Sequence, residues 1–228
     1  MTTFPFKKLF GIDANALQKS VIITPLNEYQ LFAPGTASRA HGDYFRVAQA
    51  EGFTVIGTHY SLLVGDCVLA LAATRCREVF LFGCCGGIGV DIGDKMIAGS
   101  ALDFGSFPAM LAVSSRQEKF SPDGELTKTL LQNCPGAKAG CCASVSSLAL
   151  ETERLALFDS LGVNCLDMEA ASVFAAAASA GIRSAAAFYV SNRVPDKPWH
   201  EFLSPGEIKR LGTARKTLAA QLAAVAAR

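Results

Sequence analysis

Short apolar runs recur along this chain, and the stretches between them follow a different period. SVIIT (20–24), FTVIGTH (53–59), EVFLFGC (78–84), KMIAGSAL (95–102), GCCASVSS (140–147), VNCLD (163–167) and SAAAFYVSN (184–192) read as strands. Residues 62–75 and 168–180 carry Ala and Leu at helical spacing instead. Strands alternating with helices predict an α/β fold of three layers, α/β/α, with helices on both faces of a central mixed sheet. A chain of 228 residues is expected to form one domain, 1–228. Ligands of such sheets sit beyond the carboxyl ends of the strands, which singles out the residues after VFLFG, NCLD and FYVS.

The first of these exits reads LFGCCGGIGVDIGDK (81–95). Its glycines predict a bare turn whose backbone approaches a ligand closely, because no side chain intervenes. It lacks the G-x-G-x-x-G spacing of a dinucleotide site and the G-K-[ST] of a Walker loop, and a strand-to-strand bend is the plain alternative. The second exit is DMEAAS (167–172), where Asp167 caps a helix and Glu169 falls in its first turn, favoured in its ionised form by the macrodipole. A carboxylate only accepts hydrogen bonds, and its two oxygens match two vicinal hydroxyls, as on ribose; an ordinary acidic first turn explains it equally well. The third exit is VSNRV (190–194). Here Asn192 offers a donor and an acceptor to the edge of a base, and Arg193 a guanidinium to a carbonyl or phosphate oxygen, against the alternative of a polar loop.

Composition removes several function classes. Lys plus Arg number 21 against 20 Asp plus Glu, and the basic residues are scattered, so no nucleic-acid partner is expected. The N-terminal MTTFPFKKLFG has no apolar core of signal-peptide length behind its lysines, and Arg183 interrupts the Ala-rich stretch 170–190. No membrane partner is therefore expected, and the location is expected to be cytoplasmic. The eight cysteines form no C-x-x-C pair and lie far in sequence from the three histidines, which argues against a metal site. Inside runs such as VFLFGCC they read as small buried hydrophobes of a reducing compartment. Near the C-terminus, Ser204, Pro205 and Glu207 spell a capped helix start, with Ile208, Leu211, Leu218, Leu222 and Val225 on one stripe. SPDGE (121–125) reads as a turn and PGTAS (34–38) as a loop.

In order and spacing, the three exits resemble the nucleoside phosphorylase family, which includes uridine phosphorylases, hexameric purine nucleoside phosphorylases and methylthioadenosine nucleosidases. FGCCGGIGVDIGDKMIA is similar to that family's glycine-rich turn, and LDMEAASVFAAAASAGIRSAAAFYVSNRV to its D-M-E-A-A helix and the strand after it. The resemblance implies cleavage of an N-glycosidic bond through an oxocarbenium-like transition state. Gly83, Cys84, Cys85, Gly86 and Gly87 would then lie against the sugar and the attacking group, Met168 would pack on the sugar, and Glu169 would bind its hydroxyls. Asn192 and Arg193 would lie near the base, with a pyrimidine or 6-oxopurine favoured because an amide cannot protonate a leaving group. The nominal acceptor is phosphate as co-substrate, with no cofactor; a nucleosidase using water and a non-catalytic nucleoside-binding protein are the alternatives. Leu81 and Cys84 stand where phosphorylases carry an Arg and a hydroxyl for phosphate, which leaves Arg39 and Arg46 as substitutes. The resemblance further implies a homo-oligomer, a dimer or trimer of dimers, with His41 the histidine that visits a neighbouring site.

Overall fold

All seven apolar runs are strands in the computed structural model, which describes residues 5–25, 28–32, 39–105 and 118–228. In chain order the strands are β1 (Ser20–Thr24), β2 (Arg39–His41), β3 (Phe45–Gln49), β4 (Phe53–Thr58), β5 (Glu78–Gly87), β6 (Lys95–Phe104), β7 (Lys119–Phe120), β8 (Ala137–Val145), β9 (Val163–Asp167) and β10 (Arg183–Arg193). They form one mixed sheet in the order β10-β6-β8-β9-β5-β1-β4-β3-β2, with β7 on β6. Because β10 also pairs with β5, the strands β10, β6, β8, β9 and β5 close on one another, and β1 to β4 extend from β5 as an open wing. The short strands β2 and β3 escape a reading by hydrophobic pattern, since RAH is mostly exposed and carries no alternation.

The helices are α1 (Phe6–Phe10), α2 (Val64–Leu71), α3 (Gly124–Asn133), α4 (Leu155–Ser160), α5 (Ala170–Ala180) and α6 (Pro205–Ala226). Successive side chains of a strand point to opposite faces, and β5 shows what each face meets. Val79, Leu81 and Cys85 join α2 and α5 in one core cluster, while Phe80 and Phe82 join α3 and α6 in the other. Fully burying side chains such as Phe80, Phe82 and Phe188 contributes about 1.5–3 kcal/mol each, so both helical layers are held by apolar area.

Local signals set the helix ends. Ser204 Oγ accepts the Glu207 N–H at 3.3 Å and Glu207 Oε2 accepts the Ser204 N–H at 2.7 Å, the reciprocal capping box that starts α6. Leu218, Leu222 and Val225 are buried as expected, but Ile208 is exposed. SPDGE proves to be a helix start rather than only a turn, since Asp123 Oδ1 accepts the Leu126 N–H at 2.9 Å and caps α3. The segment PGTAS lies outside the described residues. Among the described residues no helix is long and apolar enough to cross a membrane.

The glycine run differs most from its sequence reading. Cys84 to Gly87 are not a turn but the last four residues of β5, still paired with β10. Along its other edge β5 changes partner: Glu78–Leu81 pair with β1, whereas Gly86 and Gly87 pair antiparallel with Leu166 and Cys165 of β9. The turn itself comes later, at Gly89 and Gly93, whose φ of 67° and 90° are left-handed. Between the departure of β1 and the arrival of β9 the sheet has an opening beside Phe82 to Cys85.

Candidate active site

A cavity of about 260 Å³ occupies this opening, near the small end of ligand cavities, which run from roughly 300 Å³ upwards. Pro25 enters it from the end of β1, Cys84 and Gly86 from β5, and Met168 and Glu169 from the end of β9. Ser191 and Asn192 close it from β10. A larger groove of about 550 Å³ runs along α6 near Asn133 and Lys216 but brings together no carboxylates or thiols.

Glu169 is held by a network that the sequence showed only in part. Asp167, 3 % exposed, accepts the Ser144 hydroxyl at 2.8 Å and the Glu169 N–H at 2.9 Å, and also takes the Ala170 N–H. Ser144 Oγ accepts the Ala171 N–H at 2.8 Å. Asp167 and Ser144 together thus satisfy three amides at the start of α5, and the capping role expected of Asp167 is what the structure shows. Glu169 is the residue before the helix, not one of its first turn, because α5 begins at Ala170. Its carboxylate accepts the Met168 N–H at 3.3 Å and is hydrogen-bonded by Ser61, just ahead of α2. Burial raises its pKa and outweighs these two partners, the reverse of the macrodipole expectation, because the residue is only 6 % exposed. Burial and the neighbouring Glu169 push Asp167 up to about 7 against its two backbone donors.

Asn192 reaches the cavity through an irregularity in β10. Val190 pairs with Cys85 and Asn192 with Gly86, so Ser191 is an extra residue that bulges the strand and re-aims its neighbour. The Ser191 hydroxyl donates to Asn192 Oδ1 at 3.0 Å, while Asn192 Nδ2 is buried with no partner. Gly86 makes room for this amide, since a Cβ there would stand 3.2 Å from Nδ2. Arg193 does not border the cavity. One residue further along the strand, it turns to the opposite side, where it pairs with Asp91 at 2.8 Å and Asp196 at 3.5 Å.

The remaining expected site residues separate cleanly. Met168, 37 % exposed, borders the cavity, and so does Cys84, whose thiol pKa burial raises. Cys85 also borders it, but its own side chain is 2 % exposed and its thiol contacts that of Cys165. Gly83 and Gly87 do not line it. A Cβ on Gly83 would make ordinary contacts with Pro25 and Phe188, whereas one on Gly87 would come within 2.6 Å of Val90 and 2.8 Å of Val190, so Gly87 is a packing glycine. Leu81 is 0 % exposed and belongs to the core beneath. Arg39 and Arg46 lie on β2 and β3, separated from β5 by β1 and β4, with Arg39 over the Tyr29 ring at 5.8 Å. Within one chain neither borders the cavity, because the wing carries them away from the opening. Among the described residues no group of His, Cys, Asp or Glu side chains is placed to hold a metal.

Ser61, Leu148, Glu151 and Trp199 border the cavity without having been singled out. The single tryptophan, in a polar loop, was the available signal for one of them. Glu151 had none, lying in an ordinary charged stretch, yet it is 2 % exposed and burial pushes its carboxyl up to about 7.

Two predictions arise here. Gly86→Ala is expected to leave the melting temperature within a few degrees while shifting the Asn192 amide by tenths of an ångström, which the NMR resonances of that side chain would record. Gly87→Ala should instead cost about 1–3 kcal/mol in denaturant unfolding, since the methyl meets two valines in the core. For Glu151, the folded carboxyl keeps its proton where the unfolded chain has already lost it, so stability falls as pH rises from about 4.5 to about 7. Glu151→Gln should then melt several degrees above the parent at pH 8, through relief of about 3 kcal/mol at most, and match it at pH 5.

Comparison with known proteins gives the same fold. Toxoplasma gondii purine nucleoside phosphorylase, in a complex with immucillin-H, superposes with a TM-score of 0.75 at 14% identity, covering 92% of this chain and 91% of that one. Campylobacter jejuni 5′-methylthioadenosine/S-adenosyl homocysteine nucleosidase gives 0.70 at 14%, over 92% and 99%. The P. knowlesi homolog of P. falciparum PNP gives 0.67 at 16%, over 91% and 90%. No curated protein matches the chain by sequence. The family model described as the phosphorylase superfamily matches residues 32–226, nearly the whole sequence. On that match, with the Glu169 and Asn192 junctions on one cavity, the chain belongs to the phosphorylase superfamily.

Proposed function

We propose that this protein cleaves the N-glycosidic bond of a ribonucleoside and that water is the acceptor. One observation carries the reading: the Glu169 carboxylate and the Asn192 amide, 6 % and 9 % exposed, face the same cavity from opposite sides of the opening in the sheet. A carboxylate presents two acceptors to the two ribose hydroxyls, and the unpartnered Asn192 Nδ2 presents a donor to an acceptor on the base. A carbonyl oxygen suits that donor, which favours uracil-like and 6-oxopurine rings. As the C1′–N bond lengthens, positive charge grows on the sugar, and the Glu169 carboxylate stabilises it without having to reorganise.

The choice of water rests on the wall beside Cys84. A phosphate dianion there would share the cavity with Asp167 and Glu169, next to a thiol that burial keeps protonated. Leu81, whose position in phosphorylases supplies a guanidinium, is packed into the core. Water carries no charge to be repelled. The similar structures include both a nucleosidase and phosphorylases, so the fold serves either acceptor.

The test incubates the protein with uridine, inosine and adenosine, with and without phosphate, and identifies the sugar product by chromatography. Free ribose at a rate nearly independent of phosphate is expected, with adenosine the slowest substrate. Ribose 1-phosphate as the main product would overturn the choice of water, and release of no base would overturn the catalytic reading. The reading extends to a homo-oligomer, which sedimentation tests: Tyr60, Leu62 and Trp199, exposed at and beside the cavity mouth, give a second copy an apolar rim to cover.

A further inference from the structure

We propose that Glu151 is the acid that protonates the departing base. The proposal rests on the glycosidase reading above and supplies the group that Asn192 cannot be, since an amide has no proton to transfer at neutral pH. Among the described residues three carboxyls border the cavity, and their surroundings divide the work among them. Both oxygens of Asp167 are committed, one to the Ser144 hydroxyl and the other to the amides of Glu169 and Ala170. Glu169 accepts from Ser61 and from the Met168 N–H, which suits an acceptor of sugar hydroxyls.

Glu151 stands apart from both. It lies in the segment between β8 and α4, held there by its carbonyl, which accepts the Arg154 N–H at 3.2 Å. The residue is 2 % exposed and borders the cavity, and burial alone acts on its carboxyl. A carboxyl removed from water, with neither cation nor donor among the described residues to offset the loss, keeps its proton. It therefore meets the ligand as a neutral O–H donor, whereas the other two carboxyls meet their partners as acceptors. Among the described residues, the remaining titratable groups at the cavity are the thiols of Cys84 and Cys85, which burial makes weaker acids still.

The step balances as follows. The C1′–N bond breaks, its electron pair passes to the base, and the Glu151 proton moves to the base nitrogen or to the carbonyl oxygen conjugated with it. Water forms the new C1′–O bond and gives up a proton, which restores Glu151 by way of solvent. The products are ribose and the neutral base.

Leaving-group dependence tests the assignment. Parent and Glu151→Gln are compared on inosine or uridine, whose base leaves poorly as an anion, and on 4-nitrophenyl β-ribofuranoside, whose phenolate leaves without a proton. Glu151→Gln should lose roughly 10²- to 10³-fold in kcat on the nucleoside and no more than about threefold on the nitrophenyl riboside. Retained cleavage of the riboside also shows that the variant is folded. Glu151→Asp, which keeps a proton to give, should recover part of the nucleoside rate. If the variant loses both substrates equally, or neither, Glu151 is not the acid, although the glycosidase reading stands. A parent that cleaves neither compound overturns that reading and this proposal with it.

Discussion

Replacing Glu169 by Gln is expected to lower kcat/KM for a ribonucleoside by roughly 10²- to 10³-fold with little change in stability. On the proposed function the carboxylate presents two acceptors to the sugar, and a hydrogen bond to a charged group contributes about 1.5–3 kcal/mol, so losing one and weakening the other costs about 3–4 kcal/mol in the transition state. The amide keeps the shape of the side chain but turns one acceptor into a donor that faces hydroxyls. The fold should tolerate this, because Glu169 precedes α5 and, among the described residues, its carboxylate is held by Ser61 and the Met168 N–H. The measurement compares parent and variant on a ribonucleoside and its 2′,3′-dideoxy analogue. The parent should discriminate strongly between them and the variant hardly at all; equal discrimination by both would remove Glu169 from the sugar site.

Asp167→Ala is expected to be the most damaging single change around the site, costing about 3–5 kcal/mol of stability and most of the activity. It strands the Ser144 hydroxyl and two amides at the start of α5, all buried, and each buried unsatisfied group costs about 1–3 kcal/mol. For a chain of this length the melting temperature should fall by roughly 10 °C. Activity goes with it because the Glu169 amide is one of the stranded groups, so the junction that aims its side chain loosens. Asp167→Asn keeps an acceptor for the amides and should recover most of both quantities. If the alanine variant melted like the parent, the network would not be what fixes Glu169.

The junction of β9 and α5 was legible because its signals are local. A carboxylate at Asp167 two and three residues before free helix amides has few other partners within reach, and LDMEAA writes that arrangement into consecutive positions. The capping box of α6 was legible for the same reason, with donor and acceptor three residues apart. The glycine run was not. CCGG followed by IG carries the composition of a turn, yet the edge left free when β1 departs is filled by β9, a strand about 80 positions later in the chain, and that pairing keeps Gly86 and Gly87 in β5.

The two halves of SNR show the same boundary within three residues. Asn192 faces the cavity and Arg193 an acidic surface because Ser191 bulges out of the β5 ladder, and a bulge is a property of two paired strands rather than of either one. Glu151 had no sequence signal at all, since what distinguishes a buried carboxyl from a surface one is the company that distant segments bring to it. The sequence by itself determined the alternation of strands and helices, the helix caps and the identity of the residues at three strand ends, because these depend on contacts a few positions apart. The tertiary structure alone decided where the sheet opens, which side chains face that opening and how deeply each carboxyl there is buried, because each depends on strands far apart in the chain being brought side by side.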